Sequence, residues 1–353
     1  MNFYKRFTLQ TVFCAALPFV CNASMANAMT LPTNTSAQKA ATVAGQNNGD
    51  KKNSRSVTPR GKGTATSFDF DGDGKADFSV YRPSTATWMI SQSSNPLFMG
   101  SRFGVPTDLI APSDFDGDGK TDITVFRPDN GTWYSIKSSD GTTVTTQFGQ
   151  NGDIPVSGDF DGDGKADIAV FTPSTATWSR VNSSDNAVVT AQFGMSGDMP
   201  QVIDFDGDHK MDLAVFRPSD SSWHVLRSLD KTTYDVAFGM KGDVPATADF
   251  DGDGKTDLAV FRPSTGTWYL QPSTANVSGA QMVTSLQFGM AGDVPVAADY
   301  DGDGKSDVSV FRPSNGTWYL LRSGGGAPWD TAVLAQQWGM DGDVAVPSAF
   351  GQR

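Results

Sequence analysis

The chain has 353 residues, a formal net charge of −12 and 11% aromatic residues, a length that allows one or two globular domains. Its 39 acidic residues are all aspartate, and no basic cluster offsets them, which argues against nucleic acid as a partner. Cys14 and Cys21 both fall near the start, which excludes a disulfide framework or cysteine–zinc site in the body, and with only His209 and His224 a histidine-rich catalytic metal site is disfavoured.

In chain order, the first element reads as a cleaved secretory signal, residues 1–28. Lys5 and Arg6 give a positive start, Phe13 to Val20 is mostly apolar, and Ala26-Asn27-Ala28 is a small-x-small cleavage pattern. The apolar stretch is short and broken by Pro18, so no stable membrane span is expected. A lipoprotein anchor at Cys21 is the alternative, and Pro18-Phe19-Val20 counts against it. The expected location is secreted, extracellular or in the cell envelope. Residues 29–63 are polar and aperiodic and read as a disordered linker, either spacing the domain from a surface or simply tolerated.

Residues 64–353 repeat. The phrase DFDGDGK begins at Asp69, Asp114, Asp159 and Asp249, with the variants DFDGDHK at Asp204 and DYDGDGK at Asp299. Four steps are 45 residues and the last is 50, the pitch of an array or propeller. Each unit runs through the aspartate loop, an apolar run such as Leu258-Ala259-Val260-Phe261, an Arg-Pro-Ser turn, a run such as Thr267 to Leu270, a weaker run ending in Phe-Gly, and Gly-Asp-Val-Pro. That is four short strands and no helical period. The apolar run is covered on both faces, as stacked blades require. The fold predicted is all-β, a β-propeller of six four-stranded blades. The tail Gly342 to Pro347 copies the segment that precedes each loop, either closing the last blade or marking a degenerate seventh. Trp88, Trp133, Trp178, Trp223, Trp268 and Trp318 hold one position in the repeat and read as inter-blade core, the alternative being a ring of sugar-stacking aromatics.

The aspartate loops carry the chemistry. In D-x-D-G-D-G-x-x-D, alternate carboxylates converge as the backbone curls, a glycine at position 6 permits the turn, the carbonyl of position 7 faces the same point, and the last aspartate closes the cage. The ligand sets are Asp69, Asp71, Asp73, Lys75 and Asp77; Asp114, Asp116, Asp118, Lys120 and Asp122; Asp159, Asp161, Asp163, Lys165 and Asp167; Asp204, Asp206, Asp208, Lys210 and Asp212; Asp249, Asp251, Asp253, Lys255 and Asp257; Asp299, Asp301, Asp303, Lys305 and Asp307, each lysine through its main-chain carbonyl. Hard oxygen donors in a flexible loop suit Ca²⁺ better than Mg²⁺ or a transition metal, so up to six calcium ions are expected, one per repeat. No glutamate follows at position 12 and strands flank the loop, which counts against an EF-hand. His209 replaces the position-6 glycine, so the fourth site should bind more weakly.

These loops, with Phe-Gly at 103–104, 148–149, 193–194, 238–239 and 288–289, Trp338-Gly339 in the sixth unit and the Gly-Asp-Val-Pro turns, resemble FG-GAP/VCBS-type repeats, the blade units of integrin α-chain propellers and many secreted bacterial proteins. In the first unit Val105-Pro106-Thr107-Asp108 stands in place of the Gly-Asp turn. The resemblance implies a propeller with calcium in its blade loops, and binding or adhesion more often than catalysis. It supplies no ligand.

Three functions compete. The first is a binding or adhesion module for an unknown glycan or cell-surface protein, its blades giving multivalency. The second is a structural envelope-associated protein without a small ligand. The third, disfavoured, is a polysaccharide-acting enzyme: 24 of the 39 aspartates belong to the metal loops, among the others Asp129, Asp220 and Asp330 lie off the repeat and stay open as acid/base candidates, and His224 reads as a simple substitution for Tyr. No catalytic residue is assigned. Arg82, Arg127, Arg217, Arg262 and Arg312 either pair with loop aspartates or line a site for an acidic ligand, Thr172 breaking the series.

Overall fold

Runs such as Leu258-Ala259-Val260-Phe261 combine β-branched and aromatic residues, which favours extended backbone, and all four of these side chains are fully buried. The run forms the strand Leu258–Arg262, pairs antiparallel with Thr267–Gln271, and that strand pairs with Thr284–Gln287. On its other side lies the short strand Val244–Pro245. Proline is tolerated there because an edge strand needs no outward N–H partner. The computed structural model describes residues 67–95, 98–273, 283–324 and 332–348, and among them six such four-stranded sheets form a six-bladed β-propeller. The expected signal segment 1–28 and linker 29–63 lie outside the described residues, as does Asp330. Among the described residues no helix is long and apolar enough to cross a membrane.

Repeat and blade are out of phase by one strand. The Gly-Asp-Val-Pro segment that ends one repeat supplies the inner strand of the next blade, as Val294–Pro295 does for Val308–Arg312. The last copy, Val344–Ala345, therefore joins the first repeat, with Ala345 opposite Val80 and Val344 opposite Tyr81. This corrects both expectations for the tail. It closes the first blade rather than the last, and it is an ordinary inner strand rather than a seventh blade.

The six repeated tryptophans are buried, at most 4% exposed, each against the blade's own phenylalanine or tyrosine and the strands of a neighbouring blade. Trp133, Trp178, Trp223, Trp268 and Trp318 donate their indole N–H to the carbonyl of the Phe-Gly phenylalanine, or of Trp338 in the last case, at 2.8–3.1 Å. Trp88 holds the same position without that bond, so it is the burial shared by all six that overturns the sugar-stacking alternative. At the seam between last and first repeats Phe78 stacks on Tyr300 with centroids 5.4 Å apart, and Trp338 donates to the Met89 carbonyl at 3.2 Å.

Antiparallel connectivity puts the aspartate loops and the turns between third and outer strands at one end of the blades. The Arg-Pro-Ser turns and the crossings to the next blade lie at the other.

Candidate metal centres

Each aspartate loop is wound around its own first carboxylate. Asp69 accepts the Gly72 N–H on Oδ1 at 2.6 Å and the Gly74 N–H on Oδ2 at 2.8 Å, which curls the chain through Asp71 and Asp73. Asp77 ties the loop to the body: it accepts the Phe70 N–H at 2.9 Å and, from the turn between third and outer strands, the Ser93 N–H at 2.7 Å. As a result one carboxylate oxygen each of Asp69, Asp71 and Asp77 lies within 4.8 Å of the other two. The same triplet forms at Asp114, Asp116 and Asp122; Asp159, Asp161 and Asp167; Asp204, Asp206 and Asp212; and Asp249, Asp251 and Asp257. The sixth loop repeats the hydrogen bonds, with Asp299 accepting from Gly302 and Gly304 and Asp307 from Tyr300 and Ser323.

The position-5 carboxylates stand apart from these triplets. Asp73 accepts the Lys75 N–H at 2.9 Å and the Ser93 hydroxyl at 2.8 Å, and Asp118, Asp163, Asp208, Asp253 and Asp303 are held in the same way. The expected convergence of four carboxylates is thus three in the cluster and one braced beside it. The braces, Ser93, Ser138, Ser183, Ser228, Ser273 and Ser323, were missed in the sequence. Each donates its N–H to the buried last aspartate and its hydroxyl to the position-5 aspartate. The signal was there: a serine recurs 16 residues after the last aspartate of every loop.

Burial works against charge in these cages. Desolvation, reinforced by Asp71 and Asp69, pushes the Asp77 carboxyl up to about 7 against the pull of two backbone N–H donors. Asp257 and Asp307 also rise to about 7, and Asp122 and Asp212 to about 6, again chiefly by desolvation. Asp69, Asp71 and Asp77 each keep at least one oxygen that accepts a single hydrogen bond, and so has acceptor capacity for a cation. A concave set of carboxylate oxygens, electrostatically disfavoured on its own, fits a hard divalent ion.

The fourth loop keeps its winding. His209 takes φ +66°, as glycine does elsewhere, and donates its N–H to Asp204 at 2.9 Å. Its brace is poorer: Leu229 stands where Ser94, Ser139 and Ser184 offer hydroxyls to Asp71, Asp116 and Asp161, and gives Asp206 only its N–H.

The loops also touch one another. The N–H of the eighth loop residue donates to the carbonyl of the first aspartate of the preceding loop: Thr121 to Asp69, Ala166 to Asp114, Met211 to Asp159, Thr256 to Asp204, Ser306 to Asp249, and Ala76 to Asp299, each at 2.7 Å. Beside each bond, the next loop's lysine stem lies on the fourth-position glycine. A Cβ on Gly72 would sit 2.8 Å from Lys120, and one on Gly302 3.1 Å from Lys75. Lys210 goes further and donates its Nζ to the Asp161 carbonyl at 2.8 Å.

The arginines lie at the opposite end and pair differently from either expectation. Arg82, Arg127, Arg217, Arg262 and Arg312 each make two bonds of 2.7–2.9 Å to Asp343, Asp108, Asp198, Asp243 and Asp293, the aspartates of the Gly-Asp turns rather than of the metal loops. These carboxylates are buried, and they also cap their own turns, as Asp108 does for Val105 in the unit lacking the Gly-Asp pair. Thr172 serves the same purpose with a hydroxyl, 2.7 Å from Asp153. Three arginines stack on tyrosines, Arg262 lying 4.2 Å from the Tyr269 ring centre. In the fourth blade His224 takes the tyrosine position and bonds Ser222 at 2.8 Å and Asp235 at 2.5 Å, while Asp220 accepts from Ser222 at 2.6 Å. Asp129 is exposed.

A ring of six blades with a carboxylate cluster able to hold a metal ion at one end of each defines a six-bladed β-propeller with aspartate-rich blade loops. More particularly, the chain belongs to the FG-GAP-like repeat family, whose model matches residues 114–170, 159–215, 204–260 and 249–310, together more than half of the chain. No curated protein matches it. Among solved structures it is similar to a streptogramin B lyase, at 9% identity and TM-score 0.48 over 78% of this chain and 86% of that one. A catalytically inactive virginiamycin B lyase from Staphylococcus aureus with quinupristin gives 7% and 0.48 over 79% and 95%. A functionally unknown protein from Desulfotomaculum acetoxidans gives 13% and 0.48 over 78% and 83%.

Proposed function

We propose that this protein is a secreted calcium-binding propeller that acts as a binding or adhesion module, with a cell-surface or matrix protein as its partner. The observation that carries the reading is the recurrence of one carboxylate cage, with the same backbone winding and serine brace, at one end of all six blades. Calcium there would neutralise carboxylates that burial disfavours and fix the loop against the third-to-outer turn. The residues that would hold it are the Asp69, Asp71 and Asp77 triplet and its counterparts, with the position-5 aspartates and the lysine carbonyls beside them.

A protein partner is favoured over a glycan because the repeated tryptophans are buried. What the repeat exposes at the opposite end is methionine, Met195, Met240, Met290 and Met340, each about half exposed at one turn position in successive repeats. Flexible thioethers suit an adaptable protein contact.

The test is binding of the whole chain to arrays of extracellular matrix proteins and of glycans, in millimolar calcium and in chelator. Calcium-dependent retention on a protein, lost when Met240 and Met290 are both changed to lysine, supports the reading. Retention on a glycan alone, or binding indifferent to chelator, overturns it.

A further inference from the structure

We infer that the six cation sites are coupled into one closed circuit, so that filling one loop strengthens its neighbours on both sides. This rests on the calcium-binding reading and adds to it a property that the repeat alone does not imply. The argument starts from a single peptide group. The Lys75 carbonyl and the Ala76 N–H belong to the same peptide plane. The carbonyl is the position-7 ligand expected in the first loop. The N–H donates at 2.7 Å to the carbonyl of Asp299, whose side chain is a cage member of the sixth loop. One rigid plane thus serves the ion of one loop and the backbone of the preceding loop.

The same plane recurs at Thr121, Ala166, Met211, Thr256 and Ser306, and the bond from Ala76 to Asp299 joins the first loop to the sixth, so every loop has a neighbour on both sides. A cation drawing on the carbonyl polarises and orients the N–H on the other side of the plane, and hydrogen bonds linked in this way reinforce one another. It also holds in place the acceptor residue, whose carboxylate must be wound onto its own glycines before it can ligate. The lysine stem provides a second, steric link. It rests on the fourth-position glycine of the preceding loop with no room for a Cβ, so a loop that loosens disturbs the packing of the next loop's lysine. Ordering one loop therefore lowers the cost of ordering the next, which is positive cooperativity between nearest neighbours.

The experiment is calcium titration of the whole chain, read by equilibrium binding and by hydrogen exchange of the six eighth-position amides. In the unaltered protein the isotherm should be steep, with a Hill coefficient of about 2 rather than unity. In Asp116→Asn, which takes one negative charge from the second cage without touching either inter-loop bond, Ala76 and Ala166 in the flanking loops should need about fivefold more calcium for protection. Thr256, in the loop opposite, should keep its midpoint. A non-cooperative isotherm, or unchanged midpoints in every remaining loop, overturns the coupling while leaving calcium binding intact. No calcium uptake at all overturns the calcium reading and the coupling with it. If Asp116→Asn fails to fold, Asp301→Asn makes the same comparison across the seam, with Ala76 and Thr256 flanking and Ala166 opposite.

Discussion

His209 occupies a backbone conformation that the other loops give to glycine, and the surroundings explain how it is accommodated. A Cβ at the equivalent Gly74, Gly119, Gly164 or Gly254 would meet nothing within 4 Å, so the cost at His209 is in the backbone alone, about 1 kcal/mol for a positive φ. His209→Gly should relieve that strain, partly offset by a freer unfolded chain. The expected result is a small rise in melting temperature in chelator and tighter calcium binding at the fourth loop; a fall in either would show that the imidazole itself contributes. At the other end of the blades Asp243 is buried and Arg262 is its charge partner. Arg262→Leu strands that carboxylate and should cost about 3 kcal/mol. Arg262→Thr should cost less, because Thr172 already satisfies Asp153 in the third blade with one hydroxyl. Thermal unfolding of both variants in calcium decides it, and equal losses would mean that the stem packing on Tyr269, not the charge, is what matters.

At the scale of the loop, the elevated carboxyls make stability depend on pH in opposite senses with and without metal. Asp77, Asp257 and Asp307 bind protons up to about pH 7 in the folded chain, against an ordinary value of 3.8. The folded state therefore holds more protons than the unfolded one between those limits. In chelator that stabilisation is complete below the ordinary value and is lost as pH rises toward 7. With calcium, protons and metal compete for the same oxygens, and stability should rise over the same interval. Melting curves at about pH 5 and about pH 8, with and without chelator, should show slopes of opposite sign; a shared slope would separate these carboxyls from the metal. The cage was legible in the sequence because its ligands fall within nine consecutive residues. The serine braces and the arginine partners were not. Ser93 reaches Asp77 from the turn between the third and outer strands, and Asp243 reaches Arg262 across 19 residues, separations that a turn pattern does not flag. The pairing of arginine with aspartate was anticipated, but only the sheet register decides which aspartate stands opposite.

At the scale of the whole molecule, the six blades were legible from the pitch of the repeat, whereas the phase of ring closure was not, because it depends on which strand the tail pairs with. That phase makes the last few residues a structural clasp. Val344–Ala345 supplies the first blade's inner strand, Asp343 neutralises Arg82, and Val346 is buried against the first blade's core. Deleting 343–353 removes all three and leaves Arg82 unpaired and Tyr81 and Val80 on an open edge. The loss should exceed about 3 kcal/mol, on the order of 5 °C in melting temperature for a domain of this size. Exchange protection should fail first in the strands Phe78–Arg82 and Val308–Arg312, on the two sides of the seam. A synthetic peptide covering 340–353 should restore protection when added in excess, since an edge strand accepts an added strand through its main chain. The same peptide with Asp343→Asn should restore less, because it returns the strand without the charge that Arg82 requires. Uniform loss of protection across all six blades, unrelieved by peptide, would mean that the ring behaves as one cooperative unit with no clasp to release.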